Sequence, residues 1–138
     1  MIDNYDDEFV KVLKNFLNSF KLLVENIEEE KEMKFEELKQ NVELWAYDKN
    51  LIHSDYRFRQ FEKVVEEVYE LKEEIIEDNL DNMKLEMGDC LVTLIILSKQ
   101  LGIDIVDCLE QAYNKIKFRR GKTIDGKFIK EEDLKKFD

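Results

Sequence analysis

Five acids fall at two helical spacings: Glu66, Glu67 and Glu70 in "EEVYE", then Glu86 and Asp89 in "EMGD". Residues three apart on a helix share a face, with Cβ atoms roughly 5–6 Å apart. Glu67 and Glu70 therefore project together, as do Glu86 and Asp89. Glu66 points about 100° away from Glu67, toward the wetter side. The second pair runs directly into the apolar stretch "LVTLIIL", where Thr93 and Ile96 continue its face. A helix apolar on all sides is a buried one, which puts Glu86 and Asp89 at the edge of a core. Ionised carboxylates there are costly, and burial beside other acids raises their pKa values. A divalent cation removes both penalties, because Mg²⁺ accepts carboxylate, phosphate and water oxygens together. The opposing interpretation is a solvated face, since "EEVYELKEEIIE" is acid-rich throughout. Spacing alone leaves both open.

The elements that must position these acids are read from apolar periodicity. Phe9, Leu13, Phe16, Leu17, Phe20, Leu23 and Ile27 predict a first amphipathic helix, with Asn4 as its cap. "EEEKEMK" lacks apolar anchors and reads as a break. Phe35, Leu38, Val42, Trp45 and Ala46 mark a second helix, fading near Asn50. Ser54 or Asp55 is expected to cap a third, carrying Phe61, Val64, Val65, Val68, Leu71 and Ile75. "EDNLDN" reads as a loop before a fourth helix over Met83 to Leu101, stopped by Gly102. Asp104 caps a fifth, which Gly121 is expected to close. Beyond it, Asp125-Gly126 between β-prone runs predicts a small hairpin.

On composition, 138 residues suit a single core, and with no Pro and four Gly little interrupts helices, so the fold class is all-α. The formal charge of −11 argues against a phosphate-backbone binder, so no nucleic-acid partner is expected. It leaves room for a phosphorylated small molecule wherever a metal inverts the local charge. The apolar run Leu91 to Leu97 is too short to span a bilayer. The acidic N-terminus lacks the order of a signal peptide. Together these give a cytoplasmic expectation without membrane partners. Cys90 and Cys108 lack metal-type spacing and read as reduced core thiols. His53, the lone His, reads as a loop residue; without Glu-x-x-His pairs, ferritin-type di-iron chemistry is excluded. Trp45 is by residue type a core candidate.

With these residues in view, the order E-E-x-x-E, a gap, then E-x-x-D resembles the signature of MazG-type all-α nucleoside triphosphate pyrophosphohydrolases. "QFEKVVEEVYEL", "EMGDCLVTLIILSKQLGID" and "AYNKIKFRRGKTIDGKFIKEED" are similar to consecutive blocks of a short MazG-like group. The resemblance covers Trp45 to about Asp133. It divides the chain into an N-terminal helical extension, 1–40, and a core with its tail, 41–138.

The resemblance implies a helical bundle completed by oligomerisation, as a homodimer or homotetramer. It also implies Mg²⁺-dependent hydrolysis of a nucleoside triphosphate to monophosphate and pyrophosphate, with Mn²⁺ as a substitute. Glu67, Glu70, Glu86 and Asp89 would be the metal ligands, and Glu66 an outer ligand or the group orienting water. Lys63, Asn114, Lys117 and Arg120 would meet phosphate or sugar, although cations at a helix C-terminus are also favoured by its dipole. Trp45 would lie near the base. From its own residues, the tail "GKTIDGKFIKEED" could fold back at Asp125-Gly126 as a lid, anchored by Phe128 and Ile129 with Lys122 or Lys127 facing phosphates. A frayed surface terminus is the other reading of that tail. The alternative is a non-catalytic helical nucleotide-binding or regulatory protein that retains the fold.

Overall fold

A computed structural model describes the backbone of residues 3–31 and 33–137, with side chains over 7–27 and 33–136. The chain divides into two compact units, Met1–Leu38 and Lys39–Asp138.

In the first unit, α1 (Asp3–Lys31) is one continuous helix. Asn4 therefore lies inside its first turn, and its side chain is outside the described residues. The acid-rich stretch expected to break the chain stays helical to Lys31. Non-helical backbone appears at Met33 and Lys34. The unit boundary falls within α2 (Phe35–Asp48).

The second unit is built on an antiparallel pair, α3 (Arg57–Glu77) and α4 (Leu80–Gln100). A short 3-10 turn, Ser54–Tyr56, leads into α3, and neither His53 nor Tyr56 makes a side-chain cap. Ser54 and Asp55 are thus residues of that turn rather than caps. The α3–α4 connection is tighter than "EDNLDN" suggested. Asp78 adopts the left-handed conformation (φ 55°), and Asn79 caps α4 by accepting a hydrogen bond from Asn82 N at 3.2 Å. An Asx side chain tolerates both jobs, so two residues turn the chain.

Two polar contacts fix the register of the pair. Gln60 Nε2 donates to the Thr93 carbonyl at 3.1 Å, and Asn82 Nδ2 donates to Glu74 Oε2 at 3.2 Å. The small core takes Ala46 from α2, Val64 from α3, and Cys90, Ile95 and Ile96 from α4. Cys90 matches the core-thiol expectation, whereas Cys108 is exposed. Buried Lys39 on α2 pairs with Glu43 at 3.2 Å and with Asp104, while Lys99 reaches Glu43 at 3.2 Å.

Gly102 (φ 71°) follows the end of α4 in the conformation a glycine adopts without steric cost. Asp104 caps α5 (Ile105–Ile116), accepting from Val106 N and Asp107 N. α5 stops at Ile116, before Gly121. That glycine instead opens β1 (Gly121–Ile124), which pairs antiparallel with β2 (Lys127–Lys130) across Asp125-Gly126. Both turn residues have positive φ, as a two-residue hairpin turn requires. A short α6 (Glu131–Leu134) and a 3-10 turn follow. No described helix is long and apolar enough to cross a membrane.

Candidate metal centre

The stripe on α3 that carries Gln60, Glu67 and Glu74 meets the α4 face that carries Asn82, Glu86, Cys90 and Thr93. Gln60 and Glu74 pin the two ends of the contact, and the acids lie between them. One ligand oxygen each from Glu67, Glu70 and Glu86 lies within 4.8 Å of the others. Two of these three come from the same turn of α3 and the third from α4, so the helix pairing itself assembles the group.

Electrostatics within it are unbalanced. Lys63, one turn before Glu67, donates to Glu67 Oε1 at 2.9 Å and to Glu66 Oε1 at 3.0 Å. Those hydrogen bonds hold the Lys63 ammonium well above the usual lysine range. No such partner serves the remaining oxygens: Glu67 Oε2 and Glu86 Oε2 are both buried without a hydrogen-bond partner. The carboxyl of Glu70 is pushed up, first by the Glu67 charge and then by burial. That of Glu86 is pushed up by burial first, then by the charges of Glu70, Asp89 and Glu67. A buried anionic oxygen with no donor is among the more expensive things a fold can hold. Three carboxylates from two helices, two of them with orphaned oxygens, form a donor set suited to a hard divalent cation.

The other expected site residues fall in several places. Asp89 is exposed, and its shorter side chain is not one of the three grouped carboxylates, although its charge contributes to the environment of Glu86 and of Cys90. Glu66 is on the wetter side, bound to Lys63. Asn114 and Lys117 pair with each other at 2.9 Å on the exposed end of α5. The Lys117 ammonium lies 5.2 Å from the centre of the Phe118 ring. Trp45 is 52% exposed and so is no core residue. Arg120 lies at the hairpin, its carbonyl accepting from Glu131 N at 3.0 Å. That Gln60 and Asn82 hold the two helices in register was not legible in the sequence. Their signal was weak, because a polar residue bordering an apolar stripe is ordinarily solvated.

Fold and site together define a class: an all-α protein whose antiparallel helix pair presents a carboxylate cluster. The comparisons narrow it. Residues 59–124 match the family model for the MazG nucleotide pyrophosphohydrolase domain, a segment that spans α3 to the hairpin. A 71-residue stretch is 39% identical to an uncharacterized 18.2 kDa protein in the rep-hol intergenic region of Haemophilus phage HP1. That match covers 51% of this chain and 44% of the relative, so the chain spans less than half of that protein. No solved structure matches.

Proposed function

We propose that the MazG-type segment hydrolyses a nucleoside triphosphate to the monophosphate and pyrophosphate, with Mg²⁺ held by Glu67, Glu70, Glu86 and Asp89. The observation that supports this most is the pair of buried, unpartnered oxygens on Glu67 and Glu86, contributed by α3 and α4 to one group. When bound, the cation polarises phosphate oxygens and lowers the pKa of a coordinated water; Mn²⁺ prefers the same oxygen donors and can substitute.

The chain's own side chains supply the remaining work. Glu66, exposed and free to turn from Lys63, accepts a hydrogen bond from the attacking water and orients it. Lys63 releases part of its hold on the acids and offers its charge to the phosphates. Lys117 and Asn114, adjacent on α5, meet phosphate and sugar, with Arg120 beyond them. The exposed indole of Trp45 offers a face on which a base can stack. A cytoplasmic setting is where such substrates are plentiful, and a homodimer or homotetramer would complete the bundle.

The test is direct. The purified protein is incubated with a panel of nucleoside triphosphates and Mg²⁺, and pyrophosphate release is followed. Release with at least one nucleotide, abolished by Glu86→Gln and by EDTA, is expected. Nucleotide binding without pyrophosphate from any member of the panel would leave a non-catalytic binding module instead.

A further inference from the structure

A second concentration of charge, opposite in sign, lies around the C-terminal end of α5 and the hairpin that follows it. Lys115, Arg119, Arg120, Lys130 and Lys135 line a cavity of about 740 Å³, together with Phe118. None of the acids of the carboxylate group lines it. In a chain of formal charge −11, five cations around one cavity call for a cause.

The helix dipole accounts for part of this. Lys115, Arg119 and Arg120 sit at or just beyond the C-terminus of α5, where cations are favoured. Lys130 and Lys135 come from other elements, and the hairpin delivers them. Its register sets Lys130 opposite Gly121, and the bond from Glu131 N to the Arg120 carbonyl ties the end of β2 to the start of β1.

Glu131 and Glu132 also line the cavity. Even so, none of the five cations makes an ion pair or a side-chain hydrogen bond among the described residues. Their mutual repulsion is therefore relieved by no direct contact, only by the nearby charges of Glu131 and Glu132. The volume falls in the range of small-molecule sites, about 300–1,000 Å³. Phe118 is 84% exposed, an apolar face at the edge of a cationic bowl. The Asn114–Lys117 pair does not line the cavity, although the Lys117 ammonium lies 5.2 Å from the centre of the Phe118 ring that does.

We propose that this cavity binds a small phosphate-bearing anion, its pyrophosphate group set among Arg119, Arg120, Lys130 and Lys135, and that it needs no metal to do so. Two arginines match phosphate oxygens with paired N–H donors, and lysines add point charge. The ligand is a linear di- or polyphosphate, either free or as part of a nucleotide whose planar base would use Phe118. Of its lining, Arg120 alone is also among the substrate contacts proposed above; binding here does not depend on hydrolysis at the carboxylate group.

The experiment is calorimetric titration of the full chain in EDTA, with inorganic pyrophosphate and with a non-hydrolysable adenosine triphosphate analogue as probes. Saturable binding with Kd below about 1 mM is expected, weakening steeply with added salt. Lys130→Glu combined with Lys135→Glu should weaken both probes at least about tenfold, while Glu86→Gln leaves them in place. An analogue that binds more tightly than pyrophosphate identifies a nucleotide; equal affinity identifies a free polyphosphate. No saturable binding in EDTA, or unchanged affinity in the double variant, overturns the proposal. Circular dichroism verifies that the variants fold. Should the double variant misfold, Arg119→Gln and Lys135→Gln make the same measurement with less perturbation, and unchanged affinity in both overturns the proposal equally.

Discussion

Glu67 carries opposite conditions on its two oxygens: one bonded to Lys63, the other buried with nothing to accept from. Glu86 repeats the second condition. Charge is therefore the destabilising element of the metal-free site, and a variant that removes it separates folding from function. The folded-state pKa of Glu86 is raised. Its favourable contribution is complete below the ordinary carboxylate range and is lost as pH rises through the raised value. At pH 7 in EDTA, Glu86→Gln should thus melt at a higher temperature than wild type. The gap should close below about pH 4, where the glutamate is protonated in both states. With Mg²⁺ present the same variant should lose roughly 10²–10³-fold in turnover, the equivalent of a few kcal/mol of transition-state stabilisation. Scanning calorimetry across pH, and pyrophosphate release, check the two halves. An activity within about twofold of wild type would remove Glu86 from the site.

The α3 pair was legible from spacing because a helix fixes which side chains share a face; that Glu86 joins it from α4 without Asp89 depends on how the two helices pack. The exposure of Asp89, Trp45 and Cys108 was not legible either, because it depends on what packs against each helix.

At the level of elements, capping shows what local sequence specifies and where neighbours intervene. Asp104 was legible as a cap. Its pairing with Lys39, 65 positions away, was not. That hydrogen bond, with help from the Asp107 and Val106 amides, holds the Asp104 carboxyl below its ordinary 3.8. Stability from a depressed acid is present above the ordinary value and is lost as pH falls through the lowered one. Asp104→Asn keeps the cap, since Asn serves as well there, and removes only the charge facing Lys39. The variant should melt below wild type at pH 7, and the difference should fade once pH drops under 3.8.

The hairpin makes a different point. Gly121 reads in sequence as a helix stop, yet its requirement is room. A Cβ there would run into the Ile129 carbonyl oxygen and the Phe128 ring, and backbone cannot yield as a flexible side chain does. Gly121→Ala should cost about 1–3 kcal/mol locally, seen as lost hydrogen-exchange protection over β1 and β2. Pyrophosphate binding at the basic cavity should weaken with it, because Lys130 is placed by that pairing. Lys122 and Lys127, the tail lysines expected to face phosphates, do not line the cavity, while Lys130 and Lys135 do. Which lysines converge is a matter of register, and register is invisible to composition.

For the whole molecule, the decisive quantity is how little of it is buried. Among the described residues no large side chain is fully buried, and the buried apolar ones number five: Ala46, Val64, Cys90, Ile95 and Ile96. A well-packed core residue touches many others, and a domain of this size normally buries more than half of the surface its unfolded chain exposes. α4 shows where the deficit lies. Glu86, Cys90 and Thr93 lie on the face turned to α3, and Gln100 reaches the Leu51 carbonyl ahead of that helix. Met87, Leu91, Leu94 and Leu101 recur at coiled-coil spacing on another face, each 38% to 52% exposed. The sequence predicted a helix covered on every side, and in the single chain that seam is open. A three-and-four-residue apolar seam packs best against another helix of the same kind, so we expect the protein to be a homo-oligomer with α4 at the contact. Light scattering at micromolar concentration should give a mass of two or four chains, and the melting temperature should rise with protein concentration. Leu94→Glu places a charge on the seam and should shift the mass toward the single chain, with a lower melting temperature. A monodisperse single chain in the wild type, melting independently of concentration, would show that the seam is not an interface.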